Sequence, residues 1–484
     1  MHATRRHLVV GAAVAAVAGA EWFLAAGDSV IVTDRRPSEA LDRLASAGAT
    51  VLVADPPPVD LLTDVDDVLV SPGVPPHDAL AAAAVSAGLD VYSEPELAWR
   101  DRGPGAPPWL AVTGTNGKST VVTMLAAILA AAGRRTAALG NIGVPLLGSA
   151  RASDGLDVLA VELSSFQLYW SSSLAPQVGA FLNAADDHLE WHRSFGAYVA
   201  AKFDIWRAAT PEAGGIAIGN LDDQLVAAGL AGVRGRRVGF TLGEPAAGQL
   251  GVVDGVLVDR VDWPTGALGT ATGEPYAGVA LVDAALIRPP GQHNVANALA
   301  AAAMARAYGV PPEAVRDGLA GYQPEPHRNA TVATIDGVTY VDDSKATNPH
   351  AAAASLAAYP SIVWVAGGQL KGVDVNELVA SVAGRLRGAV LLGVDRADVA
   401  AALARHAPDV PVVDVPSTDD KAMGEAVVAA AGLAHPGDTV LLAPAAASKD
   451  MYASFGARGD AFVAAVRALD RSAGGTDMTG VSTA

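Results

Sequence analysis

The segment that most constrains this chain is a glycine loop between an apolar strand and an apolar helix. Residues 109–112 (WLAV) are predicted to form a short buried strand, residues 113–120 read TGTNGKST, and residues 121–132 have a helical composition. In this setting, backbone amides and a lysine can cradle phosphate oxygens. The loop therefore predicts a nucleotide-binding α/β domain, and the alternative is a plain glycine-rich turn. The G-x-x-G-K-S-T spacing is shorter than the usual G-x-x-x-x-G-K-[ST].

The composition excludes several classes of function for this chain of 484 residues. A formal net charge of −18 argues against nucleic acid as a partner, because phosphate binding needs a basic surface. The absence of cysteine excludes disulfides, zinc-thiolate sites, iron–sulfur clusters and cysteine nucleophiles. With 51% hydrophobic residues the chain can bury large cores, and its length predicts roughly three domains. Lysine is rare, which raises the question of why arginine would not serve at each remaining lysine.

The N-terminus allows two interpretations. Basic residues precede an apolar run, residues 8–20, that ends in Ala-Gly-Ala, as a secretory signal peptide does. The alternative is a buried strand, a turn, a helix up to Ala26 and a second strand that closes on Asp34, which is the start of a nucleotide-binding βαβ fold. We favour the second interpretation because the chain continues as α/β without a break. Glu21 also ends the apolar run before it could span a membrane.

Three later loops follow predicted strands. Ser71 begins a Ser-Pro-Gly loop that is either a ligand-binding loop or a plain turn, and the sequence leaves both open. Glu162 ends one strand, and His188 follows another after two aspartates. The carboxyl ends of parallel strands meet at one sheet edge, so Glu162 and His188 are candidates for binding Mg²⁺ or phosphate. Lys202 lies on a predicted helix, where a surface lysine is an equally valid interpretation.

Several motifs together resemble the Mur ligase family of peptidoglycan precursor synthesis. The resemblance covers about residues 8–470 in the right order. The motifs in the first half are GTNGKST at 114–120, GNIGVP at 140–145, ELSSFQL at 162–168 and DDH at 186–188. Those in the second half are GQHNVANA at 291–298, PHR at 326–328, DDSKATN at 342–348 and a Ser-x-Asp…Phe-x-x-Arg-Gly pattern at 448–459. DDSKATN and the closing pattern resemble the form found in the D-glutamate-adding member.

The resemblance implies an α/β fold of three domains. These are a Rossmann-like nucleotide-sugar domain at 1–104, a central P-loop ATPase-type domain at 105–325 and a Rossmann-like amino-acid-binding domain at 326–471, followed by a disordered tail at 472–484. It implies an ATP-dependent amide ligase that joins D-glutamate to UDP-N-acetylmuramoyl-L-alanine through an acyl phosphate, with two Mg²⁺ ions. We expect a cytoplasmic monomer that binds small molecules, without nucleic acid partners or membrane insertion.

The resemblance also assigns residues to ATP and metal. Catalytic roles fall to Lys118, Lys202 and His188. The residues assigned to ATP are Gly114, Thr115, Asn116, Gly117, Lys118, Ser119, Thr120, Asn141, Asn294, Asn297, Arg328 and Asp343. The metal ligands are Ser119, Thr120, Glu162, His188 and Lys202, the last as a carbamate. Only an amine can carry a carbamate, so arginine cannot replace Lys202 in this role.

The two other substrates have their own assigned residues. Those for the UDP-sugar are Asp34, Arg36, Ser71, Gly73, Asn141, Ser164 and Gln167. Those for D-glutamate are Lys345, Thr347, Lys371, Ser448 and Phe455. The sequence departs from the family at its first glycine loop, where Ala13, Ala15 and Ala16 replace two glycines and a hydroxyl residue. A backbone-amide site survives that change, but the side-chain hydroxyl is lost.

Two kinds of alternative remain. Within the superfamily, the chain could add another amino acid or be a folylpolyglutamate synthetase, against which DSKATN and the closing motif argue. From another class, it could be a non-enzymatic nucleotide-binding protein with a degraded first site. That alternative would need a broken motif in the central or C-terminal domain, and the sequence shows none.

Overall fold

A computed structural model of the chain describes residues 4–151, 155–263, 278–324, 326–417 and 421–473. These residues form three parallel-rich β-sheets with helices between the strands, which confirms the predicted α/β class. In the described part of the chain, no helix has the length and apolar character needed to cross a bilayer.

The first sheet is wholly parallel, with its longest strands in the middle. Its strand order is β3-β2-β1-β4-β5. The strands are β1 (Arg6–Val10), β2 (Ser29–Asp34), β3 (Thr50–Val53), β4 (Asp67–Val70) and β5 (Asp90–Tyr92). The helices are α1 (Val14–Ala26), α2 (Glu39–Ser46), α3 (Ala79–Ser86) and α4 (Glu94–Asp101). The apolar N-terminal run is thus the strand and helix that we favoured, and Gly27 ends α1 with a φ of 85°.

The second sheet has nine strands and places β6 between β8 and β9. Its order is β14-β13-β12-β11-β10-β9-β6-β8-β7. The strands are β6 (Trp109–Thr113), β7 (Thr136–Gly140), β8 (Val158–Glu162), β9 (Val178–Phe181), β10 (Ile216–Asn220), β11 (Arg236–Phe240), β12 (Gln249–Val253), β13 (Val256–Asp259) and β14 (Val279–Asp283). The helices are α5 (Lys118–Ala131), α6 (Ser165–Tyr169), α7 (Leu189–His192), α8 (Phe195–Phe203), α9 (Gln224–Ala231), α10 (Gln292–Ala307) and α11 (Pro312–Ala320).

This strand order positions the candidate site. The three parallel strands β6, β8 and β9 are adjacent and buried along their whole length, so the loops at their carboxyl ends converge. At the far side, β13 pairs antiparallel with both β12 and β14. Residues 264–277, between β13 and β14, lie outside the described chain.

The third sheet begins with a hairpin, since β15 and β16 pair antiparallel. Its order is β15-β16-β20-β17-β18-β19, and the remaining pairs are parallel. The strands are β15 (Ala330–Ile335), β16 (Val338–Asp342), β17 (Ile362–Ala366), β18 (Leu386–Leu391), β19 (Val412–Asp414) and β20 (Thr439–Leu442). The helices are α12 (Pro349–Leu356), α13 (Asn376–Val382), α14 (Arg396–His406), α15 (Ala422–Leu433) and α16 (Phe455–Ala473).

The chain groups into two compact units. One comprises Met1–Ile287 with Val295–Tyr322, and the other comprises Arg288–Asn294 with Gln323–Ala484. The first two sheets belong to one unit and the third sheet to the other, so the three predicted domain boundaries stay a prediction. The predicted tail starts inside α16, and residues 474–484 lie outside the described chain.

Helix α4 carries two buried glutamates in opposite settings. Burial opposes the ionisation of Glu96, but hydrogen bonds from Ser173 and Arg100 outweigh it and lower its pKa. Glu94 accepts a hydrogen bond at Oε1 from the amide of Leu147 over 2.7 Å. Its Oε2 is buried and has no partner within the described structure. Burial therefore raises the pKa of Glu94 to about 7.

Candidate active site

The glycine loop connects β6 to α5 and is held by hydrogen bonds from a neighbouring loop. Gly117 has a φ of 86°, and a Cβ there would lie 2.4 Å from Oδ1 of Asn297, so only glycine fits. Asn183, just after β9, accepts from the Asn116 amide over 2.8 Å and donates to the Asn116 carbonyl over 3.2 Å. The loop is therefore shaped in advance, with α5 beginning at its end. Sequence reasoning gave no role to Asn183, although its place directly after a buried strand was a signal.

Two lysines converge on one carbonyl of this loop. Lys118 donates from Nζ to the carbonyls of Gly114 and Thr115, each over 2.9 Å. Lys202 donates from Nζ to the same Gly114 carbonyl over 2.7 Å. Lys202 is only 1% exposed, and its Nζ lies 4.6 Å from the centre of the Tyr198 ring. The surface-lysine interpretation of Lys202 is therefore wrong.

The setting of Lys202 favours its neutral amine. Burial, followed by repulsion from the Lys118 ammonium, lowers the pKa of Lys202 well below its ordinary value. Attraction from Asp187 and Glu162 opposes this shift without cancelling it. A neutral amine is nucleophilic, which an ammonium group is not.

Glu162 ends β8 beside the glycine loop. Its side chain is almost fully buried, and Oε1 accepts from Nδ2 of Asn141 over 2.8 Å. Its Oε2 is buried and finds no hydrogen-bond partner among the residues described. A buried carboxylate oxygen without a partner is costly, so this oxygen is a candidate for binding a ligand such as a cation. Ser119 and Thr120, in the first turn of α5, are also largely buried.

His188 follows β9 as predicted, but its contacts are with its own loop and with α6. Its ring centre lies 4.7 Å from that of Phe166. Its Nε2 lies 3.4 Å from the Asp187 carboxylate, and its Nδ1 lies 3.8 Å from that of Glu190. Across the described ranges, no group of three His, Asp or Glu side chains has a metal-binding arrangement. A ligand pair of His188 and Lys202 stays a prediction.

His192 is a buried polar residue that sequence reasoning missed. Its Nε2 lies 3.0 Å from Oγ of Ser165, the first residue of α6. Burial, followed by repulsion from His188 and Lys202, lowers the pKa of His192 to about 4. Its neutral ring thus connects α7 to α6. The signal was its position one helical turn after His188.

Three of the residues predicted for the UDP-sugar, Asp34, Ser71 and Gly73, lie at or after the ends of strands in the first sheet. Asp34, at the end of β2, accepts from the amide of Ala12 over 2.7 Å and from the amide of Arg36 over 3.2 Å. Ser71, at the end of β4, packs against Gly11, where a Cβ would lie 2.7 Å from the Ser71 Cβ. Gly73 has open space beside it.

The first glycine loop, where three alanines depart from the family pattern, leads into helix α1. Ala13 is the N-cap residue of α1, with extended backbone, and makes no side-chain cap hydrogen bond. Ala13 stands where the family has a glycine, which has no capping side chain either, and the hydroxyl position corresponds to Ala15 in the first turn of α1. On α6, Ser164 and Gln167 form a capping box, in which the Ser164 amide donates to Gln167 and the Gln167 amide donates to Ser164. These two side chains therefore stabilise the helix start, and a substrate contact for them stays a prediction.

In the second unit, Lys345 and Phe455 lie together. Nζ of Lys345 lies 4.0 Å from the centre of the Phe455 ring, a cation–π distance. Ser344 donates from Oγ to the Phe455 carbonyl over 2.7 Å. The amide of Thr347 donates to the Lys345 carbonyl over 2.8 Å. Three residues predicted for D-glutamate are thereby connected, while Lys371 lies in another loop with a φ of 56°.

Arg458, which belongs to the closing motif but was given no role from the sequence, holds this part of the second unit together. It is 1% exposed, donates to Oγ and the carbonyl of Ser344 over 3.0 Å each, and donates to the Ala446 carbonyl over 3.0 Å. Ser448 is buried nearby in sequence. Burial lowers the pKa of Arg458 to about 10. The signal in the sequence was the place of this arginine in the closing motif, at the start of the last helix.

The remaining residues predicted for ATP have internal partners. Asp343 accepts from the Asn329 amide over 3.1 Å, and burial raises the pKa of Asp343 to about 6. Asn294 donates from Nδ2 to Nε2 of His293 over 2.9 Å. Burial lowers the pKa of His293 to about 4, so its ring is neutral and can accept that bond. Nucleotide contacts of Asn294, Asn297, Arg328 and Asp343 stay predictions.

Comparison with known proteins shows the family to which this chain belongs. Residues 112–305 match the Mur ligase middle domain, and residues 327–446 match the Mur ligase glutamate ligase domain. The chain belongs to the Mur ligase family. It is 53% identical over 436 residues to the UDP-N-acetylmuramoylalanine–D-glutamate ligase of Streptomyces avermitilis, covering 90% of this chain and 91% of that one. It is 51% identical over 475 residues to the enzyme of the same name from Thermobifida fusca, covering 96% and 98%.

Solved structures share the fold at low sequence identity. The UDP-N-acetylmuramate-alanine ligase of Thermotoga maritima matches with a TM-score of 0.57 at 17% identity, covering 96% of this chain and all of that one. MurF of Acinetobacter baumannii matches with a TM-score of 0.56 at 20% identity, covering 91% and 88%. These likenesses support the fold alone.

Proposed function

We propose that this chain is an ATP-dependent amide ligase that joins D-glutamate to UDP-N-acetylmuramoyl-L-alanine in cytoplasmic peptidoglycan precursor synthesis. The observation that carries the proposal is the convergence of Lys118 and Lys202 on the Gly114 carbonyl. Relatives about half identical over nearly the whole chain, and named for this reaction, supply the substrates.

The reaction explains why a phosphate site is needed. A carboxylate cannot be attacked productively by an amine, because oxide would have to leave. Transfer of the γ-phosphoryl group of ATP to a substrate carboxylate oxygen releases ADP and gives an acyl phosphate. The amine of D-glutamate then attacks the carbonyl carbon, phosphate leaves and an amine proton goes to solvent. The protein must hold the reactants in line and neutralise charge.

Lys118 and the amides of the glycine loop are suited to the phosphate part of this task. The loop amides and the start of α5 present donors and a positive dipole end to the phosphates. Lys118 adds a compact charge within reach of the loop, where it now bonds to two loop carbonyls. We infer that an ATP phosphate takes over from these carbonyls as the acceptor.

Magnesium fits the donors around Glu162. The buried, partnerless Oε2 of Glu162 and the hydroxyls of Ser119 and Thr120 are the hard oxygen donors that Mg²⁺ takes. These residues would hold one ion. A carbamate on Lys202, together with His188, would hold a second. When bound, Mg²⁺ neutralises developing charge on the phosphoryl oxygens.

The carbamate requires a neutral amine, and the buried Lys202 meets that requirement. Its nitrogen attacks the carbon of CO₂, and one proton is released. Lys202→Ala should abolish activity, which a short carboxylic acid such as acetate should partly restore. Lys202→Arg should not be rescued, since the larger side chain fills the space. Full activity of Lys202→Ala without any acid would falsify the carbamate role.

The test of the whole proposal is phosphate release from ATP. We expect release only when UDP-N-acetylmuramoyl-L-alanine and D-glutamate are both present, with ADP and amide formed in equal amounts. L-glutamate or a diamino acid in place of D-glutamate should give background release. Turnover with either of them, and none with D-glutamate, would exclude this substrate assignment and leave only the family. The predicted monomer is checked by light scattering of the same preparation.

A further inference from the structure

Asn141 lies directly after β7 and is an exposed residue, yet its side-chain amide reaches a buried carboxylate. Its Nδ2 donates to Oε1 of Glu162 over 2.8 Å. Its backbone amide also donates to the Glu162 carbonyl over 2.9 Å. The same residue thus binds Glu162 at two points, one on the backbone and one on the side chain. Sequence reasoning assigned Asn141 to ATP and the UDP-sugar, and neither assignment explains this contact.

The backbone around this contact is built for close approach. Gly140 is the register partner of Glu162 in the β7–β8 pair, and it has a φ of 96°. A Cβ on Gly140 would lie 2.3 Å from the Glu162 carbonyl oxygen. Glycine is therefore required at this position for the Asn141 amide to reach the carbonyl. A chance contact between a surface asparagine and a glutamate would not require a glycine at the preceding position.

The two oxygens of Glu162 differ as a result. Oε1 is bound by Asn141, while Oε2 is buried without a partner in the described residues. The hydrogen bond from the Asn141 side-chain amide restricts rotation of the carboxylate, so Oε2 keeps one orientation. Hydrogen bonds of this kind to a ligand carboxylate orient it and tune its affinity for metal.

We propose that Asn141 is a positioning residue that fixes the Glu162 carboxylate so that Oε2 is presented to a divalent cation. The proposal rests on the proposed ATP-dependent function, because it concerns the cation that accompanies ATP. Asn141 need not touch the reacting atoms in this role.

A purely structural role is the alternative. β7 is the edge strand of its sheet, so the contact could simply fasten β7 to β8. Both roles predict a lower melting temperature for Asn141→Ala. Only the positioning role predicts weaker metal binding by a variant that is still folded.

The experiment measures Mn²⁺ binding by isothermal titration to the full-length protein saturated with a non-hydrolysable ATP analogue. Asn141→Ala should weaken Mn²⁺ binding about 10–100-fold, the range seen when such second contacts to metal ligands are removed. In a Glu162→Gln background, adding Asn141→Ala should change Mn²⁺ affinity less than twofold, because the carboxylate to be positioned is gone. All variants are compared at a temperature where circular dichroism shows them folded.

Asn220→Ala is the matched control, since Asn220 also stands at the end of a strand of this sheet and caps its own turn. Its Mn²⁺ affinity should equal that of the unaltered protein. Asn141→Ala with unaltered Mn²⁺ affinity would overturn the proposal. So would an unaltered protein that holds no Mn²⁺ beyond what the analogue alone holds. D-glutamate-dependent phosphate release by the unaltered protein is measured separately, so failure of the positioning role is distinguishable from failure of the proposed function.

Discussion

Replacing the buried Glu94 should make this protein more stable at alkaline pH and leave it nearly unchanged at acidic pH. Burial raises the pKa of Glu94 from 4.5 to about 7. A carboxyl whose pKa is higher in the folded state binds more protons folded than unfolded. Stability is therefore lost as pH rises from the unfolded pKa, and the loss is complete above the folded pKa. Glutamine resembles the protonated carboxyl and does not ionise.

The magnitude follows from the two pKa values. Each unit of difference corresponds to about 1.4 kcal/mol once both states have responded. The penalty that Glu94 imposes is about 1 kcal/mol at pH 5 and about 3 kcal/mol at pH 8. Glu94→Gln should therefore raise the free energy of unfolding by about 2 kcal/mol more at pH 8 than at pH 5. The bond from the Leu147 amide is kept, because the glutamine oxygen can accept it.

The assay is urea unfolding followed by tryptophan fluorescence at several values between pH 5 and pH 8. Seven of the 8 tryptophans lie in the unit that contains Glu94, so the signal reports mainly on that unit. Glu96→Gln is the matched control on the same helix. The pKa of Glu96 is lowered, so this substitution should destabilise at pH 8 and do so less as pH falls toward and below 4.5. A Glu94→Gln effect that does not change with pH would refute the reasoning.

Three further substitutions have outcomes fixed by contacts. Arg458→Met should lower the free energy of unfolding of the second unit by about 3–5 kcal/mol in urea titrations, because buried carbonyls lose their donor; a loss below 1 kcal/mol would contradict this. Gly140→Ala should cost about 3 kcal/mol or more, measured as a lower melting temperature, since its Cβ would overlap the Glu162 carbonyl; an unchanged melting temperature would contradict the geometry. Phe455→Leu should raise the KM for D-glutamate about 2–5-fold, because Lys345 loses its aromatic partner. Phe455→Trp keeps an aromatic ring and should not raise this KM. Equal KM values for the two variants would exclude a cation–π role.

Sequence reasoning performed well where the information was local. The strand, loop and helix around Lys118 are contiguous, and each signal reinforced the next. The βαβ start at β1 was likewise readable from an apolar strand, a turn and an apolar helix. Strands β5, β7, β10, β11 and β19 were not predicted. Of these, β5 and β19 have only three residues each, at the edges of their sheets and with little burial. Edge strands leave a weak hydrophobic signal.

Contacts between distant segments could not be read from the sequence. The bond from Lys202 to Gly114 joins residues 88 positions apart, and that from Asn141 to Glu162 joins residues 21 apart. Their partners depend on which strands become neighbours, which the pattern of each strand alone does not specify. The resemblance identified these residues as important, but it placed Asn141 on substrates rather than on the glutamate. Asn183 and Arg458 were given no role, because their hydrogen-bond partners belong to other loops.

The burial of Lys202 should make formation and loss of the proposed carbamate slow. A group that is 1% exposed exchanges with dissolved CO₂ only when the surrounding helices open, so loading and unloading should lag behind changes in the buffer. Protein stored in degassed acidic buffer and protein stored in bicarbonate would then differ in specific activity for some time after mixing into one assay. A burst or lag in activity that vanishes after pre-incubation with bicarbonate would reveal this slow exchange. Labelling with ¹³C-labelled CO₂ would locate the carbamate on the lysine.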